Sequence, residues 1–237
     1  LQIAIFEDYK NITELLLQHG ADVNMQGGYY GSAIQVAASK GYKDIIELLI
    51  QYGADVNGQG GYYGTAIQAA AAWGHKDIVK LLLQHGANVN AQDQDGTAIQ
   101  LAANMGYTDI IELLLQYGAD VNIQGGKYGA ALQAAAATEG HQNIIELLLQ
   151  HGADVNALSG YYGTAIQAAA AWGHENTIEV LLQYGADVNA QGGFYGTAIQ
   201  AAAAEGHKDI IKLLLQHGAD INAQGGEFGT AIHAAVV

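Results

Sequence analysis

The chain has 237 residues, half of them hydrophobic and only 13% charged, which excludes a disordered polar tail. Eight basic residues, all of them lysines, stand against 23 acidic ones, for a formal net charge of −15. That balance argues against nucleic acid and anionic membrane as partners, since both are held through positive charge, and arginine readout of phosphate is absent altogether.

The chain opens in mid-pattern, without an initiating Met or a basic-apolar leader, and reads as a fragment or processed piece of a longer protein. Its dominant feature is self-similarity. Gly-Ala-Asp-Val-Asn, with small variations, recurs with its acidic or amide position at Asp22, Asp55, Asn88, Asp120, Asp154, Asp187 and Asp220. The steps are 33, 33, 32, 34, 33 and 33 residues, the mark of a repeat array. The step of 32 comes from a shortened turn, Asp93-Gln94-Asp95-Gly96, and the step of 34 from one extra residue near Thr138.

Each period predicts two short helices, best seen in the repeat that starts at Thr65. Thr65 is an N-cap whose hydroxyl can accept a free amide of the first turn. Ala66 to Trp73 then reads as two alanine-rich turns stopped by Gly74, small enough for close approach of neighbouring helices. A second helix is expected from Lys76 to His85, with Asp77 suited to the dipole of its first turn. Ile78, Val79, Leu82 and Leu83 form its buried stripe, and Gly86 supplies the left-handed C-cap. Residues 87–96, rich in Asn, Gly and Gln, suit an extended hairpin-like turn. Further along, the repeat at Ala130 lacks the Thr cap, and the last repeat stops within its first helix at Val237.

The run from Gly64 to Asn90 resembles an ankyrin repeat, and the resemblance covers essentially the whole chain. It implies an all-α ankyrin-repeat solenoid of helix-turn-helix units with β-hairpin-like fingers. Residues 1–237 are read as a single array of about seven repeats, truncated at both ends. The double-glycine, double-aromatic turn and the Gly-Thr-Ala form resemble the arrays of fungal NOD-like receptors and related multidomain proteins. Two departures stand out. The family's Thr-Pro-Leu-His becomes Thr65-Ala66-Ile67-Gln68, and the same exchange at other repeats accounts for much of the missing proline. Here, too, the turn glycine directly precedes Thr.

Chemistry is scarce. The chain has no cysteine, so neither a disulfide framework nor a thiolate metal site is available, and a reducing compartment is allowed. His75, His141, His174 and His207 follow the inter-helix Gly, while His19, His85, His151 and His217 precede the helix-ending Gly. Helices packed about 8–10 Å apart hold equivalent histidines too far apart to share zinc at about 2 Å. Tyr replaces His at several of these places, which suits a hydrogen-bonding structural side chain. The glycine-rich turns lack the Gly-Lys-Ser/Thr of a phosphate loop, and no serine sits in a Gly-x-Ser-x-Gly elbow. No enzyme, cofactor or metal site is expected. A cytoplasmic location is expected, and no apolar run approaches the roughly 18 residues of a membrane helix.

Aromatics give the functional lead. The second turn aromatic, present in every turn but the shortened one, reads as a packing ladder. The first position varies: Tyr29, Tyr62, Lys127, Tyr161, Phe194, Glu227. So does the residue before the inter-helix Gly: Lys40, Trp73, Met105, Glu139, Trp172, Glu205. In ankyrin repeats both positions lie along the concave face, where partners bind, so these twelve residues are the candidate contact set. The alternative reading has Trp73 covering an alanine-lined gap. The expected function is a protein-protein interaction module within a larger multidomain protein, its partner bearing a basic patch. The rival reading is end-to-end self-association into a filament or extended superhelix, driven by apolar faces left open at the cut repeats.

Overall fold

The computed structural model describes residues 1–138 and 140–236. Short helices follow one another in pairs. The first pair is α1 (Gln2–Phe6) and α2 (Lys10–Gln18), the second α3 (Ala33–Lys40) and α4 (Lys43–Gln51), the third α5 (Ala66–Ala72) and α6 (Lys76–Gln84). A small hairpin of β1 (Gln92–Asp93) and β2 (Gly96–Thr97) leads into α7 (Ala98–Met105) and α8 (Thr108–Gln116). Then come α9 (Ala131–Ala137) with α10 (Gln142–Gln150), and α11 (Ala165–Trp172) with α12 (Glu175–Gln183). The last are α13 (Ala198–Ala204) with α14 (Lys208–Gln216), followed by α15 (Ala231–Ala234).

Two compact units divide the chain: Leu1–Ala102 with Asp109–Ala119, and Ala103–Thr108 with Asp120 onward. In the first unit the first helices of the pairs, α1, α3 and α5, pack in succession, with α2 against α4 behind them. In the second, α9, α11, α13 and α15 do the same, backed by α10, α12 and α14. Alanine explains the stacking: Ala66, Ala69, Ala70 and Ala71 are fully buried, and so are Ala165, Ala168, Ala169 and Ala170. Ile78, Val79 and Leu82 of α6, and Ile178 and Leu181 of α12, close the core from the other side. The expected helix limits shift by one residue, because Trp73 and His85 act as C-caps of α5 and α6. Gly86, just beyond, is left-handed at φ 82°.

Polar staples tie each repeat to the next. In the Asp-Val-Asn signature, Asp55 Oδ1 accepts from Asn57 N at 2.9 Å, turning the chain. The Asn57 amide then donates to Gly86 O at 3.0 Å and accepts from Asn88 N at 2.7 Å, in the following repeat. Asn156 repeats this with Gly185 O at 3.1 Å and Asp187 N at 2.8 Å. The carbonyl left over at a helix end therefore finds its donor one repeat upstream.

A second staple is the buried glutamine. Gln68 Oε1 accepts from Thr65 N at 2.9 Å and from the Thr65 hydroxyl at 2.6 Å, while Gln68 Nε2 donates to Gly96 O at 2.6 Å. Gln167 caps Thr164 in the same way and donates to Gly192 O and Gly196 O at 3.1 and 2.6 Å. The glycine that directly precedes Thr is thus the acceptor for the previous repeat's glutamine, which is what its shifted place in the turn achieves.

Candidate protein-interaction surface

The fingers stack closely enough to exclude side chains at one point. A Cβ on Gly61, at φ 63°, would lie 2.3 Å from both the Gly31 nitrogen and the Tyr30 carbonyl carbon. Gly193 meets Tyr162 and Gly163 in the same way. The second turn glycine therefore lets successive fingers touch. Tyr62 N donates to Tyr29 O at 2.7 Å, Phe194 N to Tyr161 O at 2.8 Å, and Glu227 N to Phe194 O at 2.9 Å.

These backbone bonds set the first-position rings at the spacing of neighbouring strands. Tyr29 and Tyr62 stack with centroids 4.9 Å apart and planes 16° from parallel; Tyr161 and Phe194 stack at 4.9 Å and 18°. Each first ring stands edge-on to its neighbour: Tyr62 to Tyr63 at 89°, Tyr161 to Tyr162 at 88°, Phe194 to Tyr195 at 89°. The second rings form their own row, Tyr30 to Tyr63 at 6.5 Å and Tyr162 to Tyr195 at 6.3 Å. Such offset and edge contacts suit the ring quadrupoles. The first-position rings, exposed at Tyr29, Tyr62 and Tyr161 and half-buried at Phe194, are therefore part of a stack as well.

The residue before the inter-helix glycine meets the second ring of its own repeat. Tyr63 lies edge-on to Trp73 at 6.3 Å, Trp172 Nε1 donates to Tyr162 Oη at 2.8 Å, and Tyr195 Oη donates to Glu205 at 2.6 Å. Trp73 keeps 55% of its surface exposed and Trp172 48%, whereas Tyr195 keeps 7%. Each indole thus keeps about half of its surface open while touching a finger tyrosine. Burial first, and then Glu205, push the Tyr195 phenol far above its usual range. Tyr161 is also raised, by burial first and then by the nearby Tyr162 and Glu205 charges.

The remaining candidates are more scattered. Lys40 is half-buried, its ammonium 3.8 Å over the Phe6 ring, and Lys127 lies 5.1 Å over Tyr128. Met105 is exposed beside the Asn104 amide. Glu227 is exposed and joins the finger only through its backbone. Glu139 lies outside the described residues. The structure brings Tyr29, Tyr62 and Trp73 into one cluster through Tyr63, and Tyr161, Trp172, Phe194 and Glu205 into another through Tyr162 and Tyr195. Those mediating tyrosines are the residues the sequence reading passes over as packing; their constant spacing of ten residues from 73, 172 and 205 is the signal.

Several histidines face backbone carbonyls. His75 Nε2 lies 3.1 Å from Ser39 O, His174 Nε2 2.8 Å from Thr138 O, and His207 Nε2 3.1 Å from Ala171 O, each reaching into the preceding repeat. Among the described residues, no three His, Asp or Glu side chains gather as a metal site would require. A groove on the outer helices, lined by Lys43, Glu47, Asp77, Lys80, Leu81 and Gln84, is charged and lacks the apolar walls of a small-molecule site. No helix among the described residues is long and apolar enough to cross a membrane.

Family models described as ankyrin repeats in three copies match residues 1–60, 34–125 and 126–192, and one described as ankyrin repeats in many copies matches 199–236. The chain belongs to the ankyrin-repeat family, and its fold is the helical ankyrin-repeat solenoid. The crystal structure of the human ASB11 ankyrin repeat domain is similar at a TM-score of 0.78 and 23% identity. That match covers 92% of this chain and 97% of that one, and carries the fold alone. No curated protein matches the chain. Ankyrin repeats are in general protein-protein interaction modules, a non-catalytic family.

Proposed function

We propose that the chain binds a protein partner on its finger and inner-helix side, the side that is concave in ankyrin arrays, with Trp73 and Trp172 as anchors. The observation that carries this reading is the state of the two indoles. Each is about half exposed, yet each is fixed at one edge by a finger tyrosine. A large ring already immobilised loses little rotamer freedom on binding, which is what makes Trp and Tyr dominate interfaces. The net charge of −15 favours a partner with a basic patch and makes association salt-sensitive. We read the array as part of a larger cytoplasmic multidomain protein, a reading supported by the likeness of its double-glycine, double-aromatic turns to those of fungal NOD-like receptors.

The test is selection from a displayed library of protein domains on the full chain, followed by affinity and melting of Trp73→Ala and Trp172→Ala. Each variant should bind the selected domains at least about tenfold more weakly, as loss of an interface anchor implies. Neither should melt appreciably earlier. Melting lowered by tens of degrees with affinity intact would show the indoles to be packing.

Self-association is the second reading. Ile3, Ile12 and Leu15 are exposed on α1 and α2, as are Ile232 on α15 and Val236 just beyond it. Such faces would stack end to end in a heterologous, non-closing contact. Light scattering across a dilution series separates the two: a mass that stays monomeric at every concentration removes this reading.

A further inference from the structure

The two aromatic clusters share exposed ring surface. In the first, Tyr29 and Tyr62 are exposed, and so is Trp73 with 55% of its surface. In the second, the Glu205 carboxylate holds Tyr195 Oη at 2.6 Å. Each cluster thus offers exposed ring surface, and the second sets a carboxylate beside it. That pair recognises an ammonium or guanidinium group, because the ring face and the carboxylate both attract a cation.

The chain's own lysines show the same chemistry. Lys40 occupies the repeat position of Trp73 and Trp172, and its ammonium lies 3.8 Å over Phe6. Lys127 occupies the repeat position of Tyr29, Tyr62, Tyr161 and Phe194, and lies over Tyr128. Where these positions carry a cation, it settles on a ring; where they carry rings, no lysine among the described residues lies over them. The chain has no arginine and only eight lysines, so it supplies few cations of its own.

We propose that the clusters built on Tyr29, Tyr62 and Trp73 and on Tyr161, Trp172 and Phe194 each receive lysine or arginine side chains from an extended cationic segment of the partner. This rests on the interaction reading above and names the chemistry of the occupant. Arginine is the better fit, because its planar guanidinium stacks on a ring while its N–H groups reach a carboxylate. An acidic or neutral segment of the same length meets the same apolar surface without either attraction, and the acidic one is repelled by the net charge.

The test uses the full chain and synthetic peptides of Arg-Gly-Gly, Lys-Gly-Gly, Gln-Gly-Gly and Glu-Gly-Gly repeats, with binding followed by calorimetry. The arginine peptide should bind best, the lysine peptide next, and the other two not measurably. Joint replacement Trp73→Leu and Trp172→Leu should weaken the arginine peptide by about tenfold, while Trp73→Phe and Trp172→Phe should retain most of the affinity, since a ring face remains. Glutamine peptides binding as well as arginine peptides would overturn the proposal, and so would an arginine peptide that does not bind. Arginine binding that ignores the leucine changes but vanishes with salt would also overturn it, as unspecific attraction to the charge. The two readings fail separately. Selected protein partners that need Trp73 and Trp172 but present no cation sink this inference and spare the interaction reading. Partners indifferent to both tryptophans sink the interaction reading itself.

Discussion

Trp172 Nε1 donates a 2.8 Å hydrogen bond to Tyr162 Oη, ten residues earlier in the same repeat. Tyr195 and Glu205 make the equivalent contact with the donor reversed, and Tyr63 meets Trp73 ring to ring. Three different side-chain pairs thus serve one geometric link between a finger and the end of the helix it leads into. Because the Trp172 pair is exposed, its loss leaves no buried group stranded. Tyr162→Phe should therefore cost about 1 kcal/mol or less, the range of an ordinary net hydrogen bond. A double-mutant cycle with Trp172→Phe measures it. A coupling of several kcal/mol would mean that the finger depends on this bond to fold.

The repeat at Ala130 is expected to be the weakest among the inner repeats. The N-cap of α9 is Ala130, extended at φ −91° and ψ 172° with no side-chain bond. Among the described residues, Gln133 Oε1 is buried with no hydrogen-bond partner, whereas Gln68 Oε1 has two donors at Thr65. Ala130→Thr restores the missing hydroxyl and should add about 1 kcal/mol, with 0.5–2 the usual span for a cap. Urea unfolding with an unchanged m-value measures the gain. Amide exchange in 131–137 that is no faster than in 198–204 would show that this repeat is not weakened at all.

The helix pairs are legible in the sequence because their signals are local. Thr65 as cap, Ala66 to Ala72 as helix and Gly86 as terminator each act within a few residues of themselves. The glutamine staple is not legible in that way. Gln68 reads as a polar residue on an alanine helix, and its purpose lies 28 residues ahead at Gly96 O. The stack of Tyr29 on Tyr62 is hidden for the same reason, since it follows from a backbone bond between fingers 33 residues apart. Variation at the first turn position is visible in the sequence, but the ring contacts made there and the half-burial of Phe194 are not. Lys40 shows the limit plainly: its place in the pattern marks it as partner-facing, and its charge rests on Phe6 of the preceding repeat.

Two staples of similar appearance should differ in strength. Gln167 is fully buried, and Gln167→Leu takes the acceptor from the Thr164 amide and the side-chain donor from the Ala190 and Gly192 carbonyls, while Gly196 O keeps Gly192 N at 2.8 Å. Stranding buried groups costs about 1–3 kcal/mol apiece, so a loss of about 3 kcal/mol is expected. Asn156 is exposed, and Asn156→Ala lets water reach Gly185 O and Asp187 N in its place. Its cost should stay near 1 kcal/mol. Denaturant unfolding of both variants checks the order, and equal losses would show that solvent does not replace the asparagine.

Acid should act on three aspartates in two directions. Lys10 holds Asp44 through a 2.8 Å bond, and Lys212 holds Asp209 at 2.8 Å, so both carboxyls titrate below the usual carboxylate range. A depressed folded pKa gives stability above the unfolded value, lost as pH falls through the folded one. Both pairs are exposed, and the loss is small. Asp93 behaves oppositely. Its carboxylate accepts from Asp95 N at 2.9 Å and Gly96 N at 3.2 Å, but burial outweighs those bonds and raises it. A raised carboxyl penalises the folded state at neutral pH, and that penalty fades as pH falls through the folded pKa toward the unfolded one. Carbon-detected NMR titration should place Asp93 highest of the three and Asp44 and Asp209 below it. Asp93→Asn keeps an acceptor for Asp95 N without the charge. It should be at least as stable as the parent at pH 7 and lose that advantage in acid. An Asp93 that titrates with or below Asp44 would show that the two turn amides, not burial, govern this finger.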